Sequence, residues 1–205
     1  HMREFDTSYS TLEKHLSCVP KPDFNNILKV LHRQKPDRPT LFELFLNERL
    51  YSRLALRDMA NVEDQLERLK IITRAFRNAG YDYATIHGSD FRFPPHERHK
   101  KIALSLNEGS MISDRRSFEQ YPWPDPDDSD YSRLEKLSDE LTDGMKLIVM
   151  GPGGVLENAI KIVGYENLCF MLIDDPGLIQ DIFDAIGTRI VKYYEICVQY
   201  DTVGA

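Results

Sequence analysis

The sequence of 205 residues has few cysteines, no long apolar run and no secretory signal. Its three cysteines, Cys18, Cys169 and Cys197, are widely spaced and form no CxxC pair. That pattern is typical neither of a disulfide framework nor of a zinc ribbon, so we expect buried, reduced thiols in a cytoplasmic protein. No apolar run approaches the roughly 20 residues that cross a bilayer, so we expect no membrane span.

Positive charge is also scarce. Lys and Arg number 26 against 33 Asp and Glu, which gives a formal net charge of −7. Proteins that hold a phosphate backbone need a basic face, so we expect no nucleic-acid partner. Internal repeats and low-complexity tracts are absent as well. We therefore expect one domain over residues 3–205, and His1 and Met2 are typical of a cloning remnant.

What the sequence does contain is an alternation of short apolar segments with helical patterns. The strand-like segments are Thr40–Leu46, Tyr81–Gly88, Lys146–Gly151 and Asp201–Ala205. Helical periodicity is clearest from about Pro176 to Tyr200, between the third and the fourth of these segments. Strands that alternate with helices predict βα units around a parallel sheet. A segment rich in proline and aspartate, Tyr121–Asp128, carries the single Trp and is predicted to be a packed surface loop.

Four βα units correspond to about half of an eight-stranded βα barrel, which usually needs about 250 residues. The predicted fold is therefore α/β, with roughly the first half of a (βα)8 barrel; a small open α/β sheet is the alternative. Half a barrel exposes strand edges and apolar surface. We accordingly expect a homodimer, or association with a chain that completes the barrel.

Glu43 is the first candidate for a catalytic residue. It lies within the first predicted strand, where a buried carboxylate is costly unless it is paired or functional. An inward-facing Glu43 could act as a general acid or base. The alternative is a structural ion pair with a basic residue of a neighbouring element.

A second group of candidates follows the second strand, at the end where barrel enzymes carry their chemistry. His87 and Asp90 are candidate catalytic residues, and Ser89 is a candidate substrate contact. Histidine titrates near neutral pH and suits proton transfer. The alternative is a histidine that only hydrogen-bonds at the strand end. A Ser–His–Asp triad is disfavoured, because neighbours along one strand end do not converge as triad members do.

A third group follows the third strand, at the start of a helix. Its candidate substrate-binding residues are Gly151, Gly153, Gly154, Glu157 and Asn158. Glycines permit close approach of the backbone, and a helix N-terminus offers N–H groups to an anion. No Gly-Lys-Ser/Thr follows, so this is not a Walker loop. The alternative is a tight βα turn that requires glycine dihedral angles.

Five short motifs occur in a characteristic order along residues 24–205. They are Lys35–Pro39, Tyr121–Pro126, Met150–Gly154, Gly164–Glu166 and Asp174–Pro176. Together they resemble the front part of the uroporphyrinogen decarboxylase superfamily of βα barrels. The resemblance implies an enzyme that acts on a tetrapyrrole-related or methylated small molecule.

The resemblance implies two chemistries. Uroporphyrinogen decarboxylases remove carboxylates from a tetrapyrrole without a cofactor. Related methyltransferases move methyl groups between a corrinoid protein and a thiol with zinc, whose His and Cys ligands lie late in the chain and would fall beyond Ala205. No metal ligand is therefore assigned within this sequence.

One segment departs from the decarboxylase pattern. The family's first-strand loop carries arginines for the substrate's carboxylates, whereas Glu43–Glu48 is acidic and apolar here. Carboxylates repel a polyanionic substrate, so strict uroporphyrinogen decarboxylation is disfavoured and the methyltransferase branch gains support. The third hypothesis is a non-catalytic binding protein or an inactive barrel.

Overall fold

The computed structural model describes residues 21–94 and 111–205. The described chain is a mixed α/β fold in which helices predominate over a short parallel sheet. The elements are α1 (Asn25–Leu31), α2 (Glu48–Leu54), α3 (Gln65–Asn78), β1 (Tyr83–His87), α4 (Arg115–Gln120), α5 (Ser132–Lys136), β2 (Lys146–Met150), α6 (Val155–Val163), α7 (Tyr165–Asp174) and α8 (Pro176–Cys197). In the described part, no helix is both long and apolar enough to traverse a bilayer.

The second and third predicted strands are confirmed as β1 and β2, which lie side by side. The predicted start of a fourth strand also pairs with β2, through a parallel bridge between Leu147 and Val203. Leu147 N donates to Thr202 O at 2.8 Å, whereas the preceding Lys146 N donates to Asp82 O at 3.3 Å. Successive residues of a strand direct their backbone groups to opposite sides. The segment 202–205 and β1 therefore flank β2 on opposite edges, in the order of the chain.

The prediction of a strand at Thr40–Leu46 is wrong. No backbone–backbone hydrogen bond joins residues 40–46 to another described residue. Two tyrosine hydroxyls hold the segment instead: that of Tyr83 bonds both N and O of Glu43, at 2.6 and 2.9 Å, and that of Tyr51 accepts from Leu46 N at 2.8 Å. A strand requires a backbone partner, and here side chains have taken that role.

The chain divides into two compact units. Unit 1 comprises residues 21–86, 131–149 and 198–205 of the described chain, and its core includes an aromatic cluster. The rings of Tyr51, Phe76, Tyr81 and Tyr83 lie with centroids 5.0 to 6.1 Å apart. Helix α3 supplies Phe76 and is capped at its N-terminus by Asp64, whose carboxylate accepts from Leu66 N at 3.2 Å. This capped helix presents its apolar face to the core of the unit.

A buried carboxylate anchors the amino end of β1. Asp82 is 1% exposed, and its Oδ1 accepts from Asp23 N at 2.7 Å and forms an ion pair with Arg38. Arg38 belongs to the Lys35–Pro39 motif, so the motif ties the chain to the base of the strand. At that end of a βα unit, such contacts serve stability rather than chemistry.

Unit 2 comprises residues 87–94, 111–130 and 150–197 of the described chain. Helices α6, α7 and α8 pack on one another, and the Tyr121–Asp128 segment packs on α8. The Arg189 guanidinium lies 4.9 Å from the centre of the Trp123 ring and donates to Pro124 O at 3.0 Å. Lys192 forms an ion pair with Asp125 at 2.9 Å. The prediction of a packed surface loop is confirmed.

The prediction of buried thiols is half wrong. Cys197 is buried, whereas Cys169 is exposed on α7. Cys18 and the predicted cloning remnant at residues 1–2 lie outside the described residues.

Candidate functional site

The carboxyl end of β1 carries alternating exposed and buried side chains. His87, its last residue, is exposed; Ser89 is buried at 4% exposure, and Asp90 is exposed. The Ser89 hydroxyl accepts from Phe91 N at 3.1 Å, which closes a local turn. His87 and Asp90 thus face solvent at the strand end, while Ser89 organises the backbone. The role of Ser89 in this structure is that of a turn residue.

One tyrosine hydroxyl joins the carboxyl ends of both strands. The Tyr193 side chain of α8 is 1% exposed. Its hydroxyl accepts from Gly88 N at 2.7 Å and donates to Met150 O at 2.9 Å. The two segments are therefore held together at Gly88 and Met150, which are the neighbours of His87 and Gly151 in the sequence. All of the candidate residues except Glu43 follow directly from these two strand ends.

The turn after β2 is built around its glycines. Gly153 has a φ of +102°, a conformation that side chains rarely adopt, and a Cβ at Gly151 would collide with the Tyr194 hydroxyl. Gly153 therefore requires glycine for geometric reasons, whereas a side chain at Gly151 would require the Tyr194 hydroxyl to shift. Gly154 is the N-cap residue of α6, and the Glu157 carboxylate curls back to the position that a Cβ on Gly154 would occupy.

Asn158 belongs to the same turn but faces inward. It is 2% exposed, and its side-chain amide donates to Gly154 O at 2.8 Å and to Pro152 O at 3.3 Å. Its amide thus stabilises the turn from within. The predicted contact between Asn158 and a substrate is not supported by this geometry. Gly153, Gly154 and Glu157 are exposed and form the solvent-facing side of the turn.

Glu43 does not belong to the same unit as these residues. It belongs to unit 1, is exposed and lies outside any strand, so the expected cost of a buried carboxylate does not arise. Its backbone is bonded by Tyr83 and also accepts from the Thr85 hydroxyl at 3.3 Å. The premise for Glu43 as an inward-facing acid or base is therefore wrong.

The neighbourhood of Tyr193 is apolar and aromatic. The Phe91 ring stacks on the Tyr193 ring with centroids 5.8 Å apart, and Tyr194 contacts it edge-on at 5.4 Å. Cys197 follows one helical turn later, and burial raises the pKa of its thiol to about 11, an effect that a hydrogen bond with Tyr193 opposes. The thiol is thus protonated near neutral pH.

Within residues 21–94 and 111–205, no three His, Cys, Asp or Glu side chains converge as metal ligands do. The candidate chemistry of this part of the chain rests on side chains at the strand ends.

Sequence reasoning missed Tyr193 and Tyr194. Both lie on the long amphipathic α8, far along the chain from either strand end, and aromatic residues at helical spacing normally indicate core packing. Nothing in the spacing indicates that their hydroxyls reach Gly88, Met150 or Gly151.

A comparison of this chain with protein-family models, with curated proteins and with solved structures finds no match to any of them.

Proposed function

We propose that this chain contains the first βα units of a barrel enzyme of the uroporphyrinogen decarboxylase superfamily, acting on a tetrapyrrole-related or methylated small molecule. The observation that carries the proposal is the sheet order. β1, β2 and the segment 202–205 are neighbours in chain order, and the polar candidates follow the carboxyl ends of β1 and β2.

Strand order discriminates between the two main kinds of parallel α/β fold. In a doubly wound sheet the order reverses at a switch point. In a barrel each strand is added beside the preceding one, and the chemistry lies at the carboxyl ends. Three neighbours in simple succession are consistent with the barrel, and each half of a doubly wound sheet has such a run too.

His87 is the residue that we propose for proton transfer. Loss of carbon dioxide from an acetate side chain leaves an electron pair on carbon, which must take up one proton to give a methyl group. A histidine that faces solvent at a strand end can supply that proton and recover it from water. Asp90 and the exposed Glu157, both in unit 2, are further polar groups in the segments after the two strand ends.

Methyl transfer is the second candidate, and the acidic segment Glu43–Glu48 favours it. Glu43 is exposed, and Glu48 pairs with Arg68. The segment therefore offers no free cation to a polycarboxylate, whereas a methylated substrate needs none. In that case the zinc would activate the acceptor thiol, and its ligands would come from residues other than those described here.

The test uses the protein encoded by the complete gene. It is incubated anaerobically with uroporphyrinogen, and separately with a methylcorrinoid and a thiol. Carbon dioxide release without metal supports decarboxylation, and demethylation with stoichiometric zinc supports the second candidate. In the decarboxylation assay we expect His87→Gln to lower kcat by a factor of about 10² or more.

The control is His32→Gln, because His32 is exposed at the end of α1 and has no part in the proposed site. It should retain full activity. The absence of both activities in a folded protein would reject the enzyme proposal and favour the non-catalytic binding protein.

A further inference from the structure

Tyr193 places a hydroxyl group in a buried, aromatic environment, where a phenylalanine ring would also pack. Its side chain is 1% exposed and stacks on Phe91. Burying a hydroxyl is unfavourable unless it is hydrogen-bonded. The Tyr193 hydroxyl uses both its donor and its acceptor capacity, on two backbone groups from different parts of the sequence. The Cys197 thiol is a third partner, since it too is hydrogen-bonded with Tyr193.

Both partners lie at the start of the candidate segments. Gly88 sits between His87 and Ser89, and Met150 immediately precedes Gly151. The Tyr193 ring also contacts Phe91, whose N–H closes the turn with Ser89. The hydrogen bonds of the hydroxyl and the packing of the ring therefore both hold the same loop. A change from Tyr to Phe removes the hydrogen bonds and keeps the ring packing.

We propose that Tyr193 is a positioning residue: its hydroxyl holds Gly88 against Met150 and thereby sets the placement of His87. This inference rests on the proposed function only in taking His87 as the reacting residue. The two hydrogen bonds predict that the backbone next to His87 is held in place, and this prediction is testable without any substrate. The competing explanation is that the hydroxyl contributes to stability alone.

The experiment compares Tyr193→Phe with Tyr51→Phe in the present chain by NMR. Tyr51 is a matched control, because its buried hydroxyl also bonds one backbone group, Leu46 N, in the other unit. The His87 ring resonance is assigned with His87→Gln, and its chemical shift is compared among the variants. The exchange of the Gly88 amide proton is followed as well.

In Tyr193→Phe we expect a changed chemical shift of the His87 ring and at least about tenfold faster exchange at Gly88, because that amide loses its only described acceptor. Tyr51→Phe should change neither quantity. In the complete enzyme, Tyr193→Phe should lower kcat with little change in KM, because a displaced proton donor affects the reaction more than binding.

Three results would overturn the proposal. One is a His87 ring resonance in folded Tyr193→Phe identical to that of the native chain. Another is an equal response in Tyr51→Phe, which would indicate a general loss of stability. If Tyr193→Phe does not fold, the native Gly88 amide decides the matter, since rapid exchange there contradicts the hydrogen bond. These results are independent of the activity assays, so failure of the proposed function leaves them interpretable.

Discussion

At the scale of the residue, the ionisation of the buried Cys197 thiol makes the stability of the chain depend on pH. The thiol is fully buried on α8, and its pKa is about 11 compared with an ordinary value of 9.0. The folded state therefore holds a proton that the unfolded chain releases near pH 9. Stability from this source is complete below about pH 9 and is lost as the pH rises through about 11.

We expect the free energy of unfolding to fall between these pH values, by about 1–2 kcal/mol more in the native chain than in Cys197→Ala. Urea unfolding at several pH values from about 8 to 11 measures the difference. Cys169→Ala is the control, because Cys169 is exposed and should leave the slope unchanged. Parallel slopes for the native chain and Cys197→Ala would contradict the prediction.

At the scale of the element, two glycines of unit 2 have opposite roles. Gly153 adopts a φ of +102° in the turn after β2, whereas Gly187 lies inside α8, where a Cβ would meet only Val155 at 3.8 Å. Gly153→Ala should therefore destabilise the chain by about 1–2 kcal/mol. Gly187→Ala should stabilise it by about 0.5–1 kcal/mol, since alanine favours a helix interior.

Urea unfolding of the two variants beside the native chain provides the measurement. Far-ultraviolet circular dichroism checks that each variant retains its helices. A Gly153→Ala variant as stable as the native chain would show that the turn does not need a left-handed residue.

The elements that sequence reasoning predicted correctly are those whose local pattern and backbone partners agree. β1, β2 and α8 have strong apolar periodicity, and Val203 finds β2 beside it. The segment 40–46 has an equally apolar pattern, but pairing decides whether such a segment is a strand. Asn158 shows the same limit at a turn. Its position after the glycines was visible in the sequence, yet only the three-dimensional structure shows its amide bonded to Gly154 O and Pro152 O.

At the scale of the whole molecule, the exposed apolar side chains of residues 41–45 predict association. Phe42 and Phe45 are 62% and 70% exposed, and Leu41 and Leu44 are about half exposed. Clustered apolar surface of this kind favours contact with another chain. We expect light scattering to show dimers or larger species, and a double change, Leu44→Ser with Phe45→Ser, to shift the chain toward the monomer.

Ile173→Ser is the matched control, because Ile173 is 82% exposed on α7 yet lies outside the segment. It should leave the mass distribution unchanged. A native chain that is monomeric at all concentrations would contradict the expected association.

The division into two units has a consequence for inheritance and engineering. The chain passes between them four times, after Ile86, Asp130, Val149 and Cys197, and two of these passages fall within β1 and β2. No single contiguous stretch of the gene encodes either unit. Neither unit can therefore be exchanged by replacing one contiguous stretch of sequence. A protease cut at one loop does not release either unit intact. Recombination that transfers one unit must carry the other with it.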